Sequence, residues 1–143
     1  MVTLSFQYEI TYDHPDWAIL PIRLRVGQRH RDMRAMVDSG SAYSLFDQEI
    51  AGAFGLNIDA LPRTPRPIGG LDGDHRRRPM QRGAVQIQAG PNSIANIQLD
   101  VVFFSNLMFN IGVEALLGTR DFFNSFLVGF DHRQRLLYLG EVT

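Results

Sequence analysis

Apolar residues recur at every second position along most of the chain. Ile22, Leu24 and Val26 alternate with Arg23 and Arg25, which predicts a half-buried strand closed by a Gly27-Gln28 turn. Met33, Ala35 and Val37 form a second alternating run that ends at Asp38-Ser39-Gly40. Val85 and Ile87 alternate with Gln86 and Gln88, and Ile97, Leu99, Val101 and Phe103 mark the longest predicted strand. Near the end, Phe126 to Phe130 and Leu136 to Leu139 flank the polar turn Asp131-His132-Arg133-Gln134, a hairpin pattern. Helical signals are few. Asp47 can cap a short helix over Gln48 to Phe54 with Gly55 as its stop, and a second short helix is expected over Asp121 to Phe126. Pro62 to Pro67 holds three prolines in six residues and reads as a stiff lead into the next element. The pattern predicts an all-β, closed β-barrel-like domain with one or two short helices.

With 143 residues, a single domain over 1–143 is expected. Apolar residues at 45% and charged residues at 20% exclude a disordered tail. A formal charge of -1 argues against a dedicated nucleic-acid binder, whose phosphate contacts need net positive charge. Cysteine and lysine are both absent, which excludes disulfides, thiolate nucleophiles, Cys-ligated metals and Schiff-base chemistry. His14, His30, His75 and His132 lack ligand spacing, so neither a metal nor another cofactor is expected. The sequence shows no basic, apolar leader and no run of about 18–20 apolar residues, so no membrane span is expected and a cytoplasmic location is the default.

Three short motifs carry the candidate chemistry: Val37-Asp38-Ser39-Gly40-Ser41, Ile68-Gly69-Gly70-Leu71-Asp72-Gly73 and Leu116-Leu117-Gly118. Each alone has an ordinary reading. The first is a turn at a strand end, the second a glycine-rich hairpin tip, the third a buried strand stopped by glycine. Their order is more specific: it resembles the retropepsin-like (retroviral-type) aspartic proteases over about Ile19 to Leu139. The resemblance implies an acid-protease lobe active as a homodimer, with Asp38 as the catalytic aspartate. By the same resemblance, Ser39 holds the two active-site loops together, Gly40 lets the loop turn, and Ile68 to Gly73 form a flap. Leu116-Leu117-Gly118 would pack under the active-site loop. Substrate contacts are expected from Ser41, Ile68, Gly69, Gly70, Leu71, Asp72, Gly73, Val113 and Leu116, with Phe109 to Val113 forming a nearby loop. Two features depart from the family. Thr119 stands between Gly118 and Arg120, and Ala42-Tyr43 offers no acidic partner for that arginine. The segment between Asp38 and the hairpin is also longer than in the retroviral enzymes.

The chemistry of this family needs two carboxyl groups on one water, one taking a proton and one giving it. Only Asp38 sits in an Asp-Ser-Gly, so the second carboxyl is expected from a second copy across a two-fold axis. The implied activity is endopeptidase cleavage of an extended polypeptide. A non-catalytic dimerisation or peptide-binding domain of the same fold is the alternative, and an unrelated barrel-type binding module a third reading. A hydroxyl at Ser41 is expected to donate to the Asp38 carboxyl. His75-Arg76-Arg77-Arg78 reads as a solvated turn or, in a flap arm, as a contact for acidic substrate side chains.

Overall fold

A computed structural model describes residues 4–12, 14–69, 75–89, 92–105 and 112–142. Six strands close a barrel: β2 (Ile19–Val26), β3 (Arg29–Val37), β4 (Leu45–Asp47), β7 (Met80–Ala89), β8 (Asn92–Phe104) and β9 (Ala115–Leu117). Their order around the barrel is β2-β3-β9-β4-β8-β7. A separate three-stranded sheet runs β1 (Tyr8–Thr11), β11 (Leu136–Glu141), β10 (Phe126–Asp131), with β10 as an outer strand on which Leu127 and Phe130 are exposed. The two-residue strands β5 (Ile68–Gly69) and β6 (His75–Arg76) pair as the described base of a hairpin. Among the described residues, no helix is long and apolar enough to cross a membrane.

The period-two pattern builds two apolar layers because successive side chains point to opposite faces of a strand. Leu20, Ile22 and Leu24 of β2 face the barrel interior, as do Ala35 and Val37 of β3 and Leu99, Val101 and Phe103 of β8. The intervening positions Ile19, Met36, Val102, Phe104 and Leu116 belong to a second cluster with Leu45 and Val113. That second layer lies on the outer face of the same strands, where Tyr43, Ile68 and Met80 pack against it. Strands buried on both faces lose their alternation, which is why Ala35-Met36-Val37 and Ala115-Leu116-Leu117 read as continuous apolar runs.

The helix expected after Asp47 forms as a 3-10 helix over Gln48–Phe54, with the Asp47 carboxylate accepting from Glu49 N–H at 3.0 Å. Gly55 ends it at φ 68°, in the left-handed region. A further 3-10 turn over Ile58–Ala60, capped by Asn57, exceeds the one or two helices expected. The α-helix α1 (Phe122–Ser125) is shorter than predicted, because Phe126 already belongs to β10.

β3 and β9 run parallel, with Val37 opposite Leu117, and the pairing continues past both strands: Asp38 N–H donates to Leu117 C=O at 3.0 Å. The next residue, Gly118, lies so close to the carbonyl oxygens of Tyr43 and Ser41 that a Cβ there would press into both. We expect Gly118→Ala to destabilise the fold by about 2–3 kcal/mol, since backbone atoms must move to admit the methyl group. An unchanged denaturant midpoint would contradict this close packing.

Candidate active site

Asp38 is delivered by a strand whose last three residues are buried, yet the carboxyl itself is half-buried at the strand's end. Its Oδ1 accepts from Gly40 N–H at 2.9 Å, and Ser41 N–H donates to Asp38 C=O at 3.3 Å. The chain therefore turns back immediately behind the carboxyl, as Asp-Ser-Gly favours. Ser39 stays on the exposed side of this turn.

Asp38, Gly40 and Ser41 open onto a cavity of about 500 Å³. Met36, Leu45 and Leu116 from the second apolar layer line it, and Pro67, Ile68 and Gly69 close it from the β5 side. Val113 is buried within that layer and is not on the cavity wall. Gly70, Leu71, Asp72 and Gly73, and residues 109–111 of the expected substrate loop, lie outside the described residues.

The hairpin base is anchored rather than free. Thr64 N–H donates to Arg78 C=O at 2.8 Å, and Arg78 N–H returns to Thr64 Oγ1 at 2.9 Å. The Arg78 side chain is buried: its Nε donates to Ile68 C=O at 3.3 Å, and its guanidinium stands 4.1 Å from the Phe104 ring centre. Arg77 Nε donates to Thr64 C=O at 2.6 Å. The expected solvated arginine run is thus divided. His75, Arg76 and Arg77 are exposed, and Arg78 turns inward, where the carbonyl and the aromatic face compensate its lost hydration.

The Ser41 hydroxyl does not take the bond expected of it. It donates to Tyr43 C=O at 2.6 Å, so its single proton is committed to the nearby backbone and not to Asp38. Behind this loop, residues 118–120 are stitched to 41–44. Thr119 N–H donates to Ser41 C=O at 2.8 Å and Arg120 N–H to Ala42 C=O at 2.9 Å. Gly118 N–H donates to the fully buried Ser44 hydroxyl at 3.1 Å. Arg120 finds an aromatic partner where an acid was missing: Nη1 donates to Tyr43 Oη at 2.7 Å, and the guanidinium lies 4.6 Å from the ring centre.

Asp121 completes the support. It is half-buried and takes a hydrogen bond from Ser44. Burial pushes its carboxyl up from the ordinary value and Asp100 adds to this; the Ser44 bond, Arg82 and Arg120 pull the other way.

No family model and no curated protein matches the chain. Among solved structures, a retropepsin-like aspartic protease from Rickettsia conorii matches at a TM-score of 0.55 and 20% identity, over 97% of this chain and 96% of that one. The fold is that of the retropepsin-like aspartic proteases. A retroviral protease-like domain of Ddi1 from Leishmania major is also similar, at 14% identity and a TM-score of 0.46, over 87% of this chain and 94% of that one.

The retropepsin-like barrel brings the first and third sequence motifs together and sets the described part of the second over them. Sequence reasoning missed Met36, Leu45 and Tyr43 in the cavity wall. Met36 was legible in principle, since it shares its strand face with Asp38 two residues on. Ser44 and Asp121 carried no pattern, because their link spans distant parts of the chain.

The direction at Asp121 fixes a pH dependence. A carboxyl raised by folding contributes stability fully below its unfolded value, about 3.9, and loses it as pH rises through the raised value. Asp121→Asn removes that loss. The stability of the variant relative to the parent should therefore improve as pH climbs from about 3 to 7. Paired denaturation curves across that range check this, and a difference that stays flat with pH would refute it.

Proposed function

We propose that the protein is a homodimeric aspartic endopeptidase. The observation that carries this reading is the Asp38 carboxyl at the end of β3, aimed into an apolar cavity that the β5 strand overhangs. A structural turn aspartate has no need of such a cavity. The likeness in fold to a retropepsin-like aspartic protease supports the reading.

The mechanism follows from one carboxyl per chain. A two-fold axis beside Asp38 brings two copies of it face to face over one water. Two carboxyl groups at that range cannot both carry charge, so they share one proton. The ionised group takes a proton from the water as its oxygen attacks the scissile carbonyl carbon; the protonated group gives its proton to the carbonyl oxygen. The gem-diol then collapses: one of its hydroxyl groups returns a proton to the ionised carboxylate, the C–N bond breaks, and the amine leaves with the proton of the other carboxyl, so the pair again holds one proton. Because only the singly protonated pair works, the rate is bell-shaped in pH. Ile68 and Gly69, the described start of the expected Ile68 to Gly73 flap, lie over an extended peptide whose apolar side chain fills the cavity. Ser39 links the two active-site loops across the axis. Among the described residues the outer edge of β10 is unpaired, and with Leu127 and Phe130 exposed on that strand it supports a surface on which a second copy can add strand to strand.

The test is a peptide-library cleavage assay across pH with Asp38→Asn as control. We expect the parent to cleave and the variant to lose at least about a thousandfold in kcat/KM while keeping its fold, since an amide neither takes nor gives the proton. Specific activity should also fall on dilution below the dimer dissociation constant. Cleavage by a proven monomer, or near-normal turnover in Asp38→Asn, would overturn the proposal. Peptide binding without cleavage by the parent would favour a peptide-binding domain of the same fold.

A further inference from the structure

We propose that Arg120, seated on Tyr43, makes the rim of the Asp38 cavity a subsite for an acidic side chain of the peptide. The inference deepens the peptide-site reading above and rests on it. Three observations carry it. First, the cavity wall is apolar except near Asp38, which is the one acidic group among its described lining residues. The Ser41 hydroxyl, the other polar side chain there that could recognise a substrate group, gives its proton to Tyr43 C=O. Tyr43 supplies the remaining polar side chain of the described wall.

Second, Tyr43 is held by a cation. Arg120 Nη1 donates to Tyr43 Oη at 2.7 Å, so the phenol accepts there and keeps its own proton for an outside acceptor. The guanidinium stacks on the ring at 4.6 Å and is exposed to solvent. A guanidinium has five N–H donors in a fixed fork, and one of them holds Tyr43. A carboxylate at this rim meets the phenol proton and guanidinium N–H groups together. An amide of the same shape gains the hydrogen bonds without the charge.

Third, the arginine is fixed in place. Its N–H donates to Ala42 C=O at 2.9 Å, and Ala42 itself lines the cavity. Its charged neighbour in sequence, Asp121, takes the Ser44 hydrogen bond, with Asp100, Arg82 and Arg120 itself also acting on that carboxyl. An extended peptide with an apolar residue in the cavity and a Glu or Asp within a few residues of it matches this arrangement of charge.

The experiment uses peptides with a fixed apolar cleavage pair and Glu, Gln or Lys at each flanking position. At low salt we expect the parent to prefer the best Glu peptide over its Gln counterpart by about tenfold in kcat/KM, falling to about two- to threefold in roughly 0.5 M NaCl. Arg120→Gln should bring that ratio close to one, and Arg120→Lys should keep it above one at the same position. The ratio within each variant is independent of any overall loss of activity. A parent that cleaves Glu and Gln peptides equally would overturn the inference and leave the endopeptidase reading standing. An unchanged preference in Arg120→Gln would overturn it too. The same peptides, fluorescently labelled, are titrated against Asp38→Asn with and without Arg120→Gln. If no peptide is cleaved but Glu is preferred in binding and Arg120→Gln abolishes that preference, the subsite stands and the endopeptidase reading falls. If peptides are neither cleaved nor bound with a preference for Glu, both fall.

Discussion

The structure depends on one backbone pairing, in which parallel β3 and β9 end together with Asp38 N–H on Leu117 C=O. Everything placed near the carboxyl follows from that register. It sets Gly118 beside the turn that begins at Asp38, and the absence of a side chain on Gly118 lets the carbonyls of Ser41 and Tyr43 come within contact distance. A slip of one residue would turn Leu117 out of the barrel and Leu116 into it, so the hydrophobic sorting of the two layers also locks the site.

The two-layer arrangement explains how a small domain can spare an apolar cavity. The barrel interior alone holds the strands together, with Leu20, Ile22, Leu24, Leu99 and Val101 fully buried. The outer layer of Met36, Leu45 and Leu116 is then free to serve as a floor. Its residues are themselves buried, and the partly buried Tyr43 and Ile68 that pack against them carry apolar surface that burial would stabilise by about 25 cal/mol per Å². The polar atoms needed for chemistry come from loop ends at its edge, where water or substrate can satisfy them.

Alternation made the inner layer legible from sequence. Ile22, Leu24, Val85, Ile87, Ile97 and Leu99 fell on the predicted face because each strand shows water or a polar neighbour on its other side. The outer layer was legible only as continuous apolar runs, which do not say which residue faces which way. The motifs at 37–41 and 116–118 were readable because turn chemistry is local. Strands β1 and β4 were not, since Tyr8–Thr11 and Leu45–Asp47 are short and draw their pairing from distant partners. The Ser41 hydroxyl was misassigned for a related reason. Sequence places it two residues from a carbonyl and three from a carboxyl, and only the turn geometry decides that Tyr43 C=O receives its proton.

The inserted Thr119 shows how such local geometry redirects a long-range contact. Residues 119–121 run in step beside 41–44: Thr119 bonds Ser41, Arg120 bonds Ala42 and reaches Tyr43, and Asp121 takes the Ser44 hydroxyl. Each residue in this short parallel track has a different task. Thr119 fastens the loop through its backbone, Arg120 lays its exposed cation over the Tyr43 ring, and Asp121 turns its half-buried carboxyl to Ser44. A shift of one residue one way would put Asp121 in the place of Arg120, and the other way would put Arg120 under the loop beside buried Ser44. Burying a guanidinium there without a matched acid costs several kcal/mol. The same register that holds the Asp38 loop therefore also decides the sign of the charge stacked on Tyr43, a residue of the cavity wall.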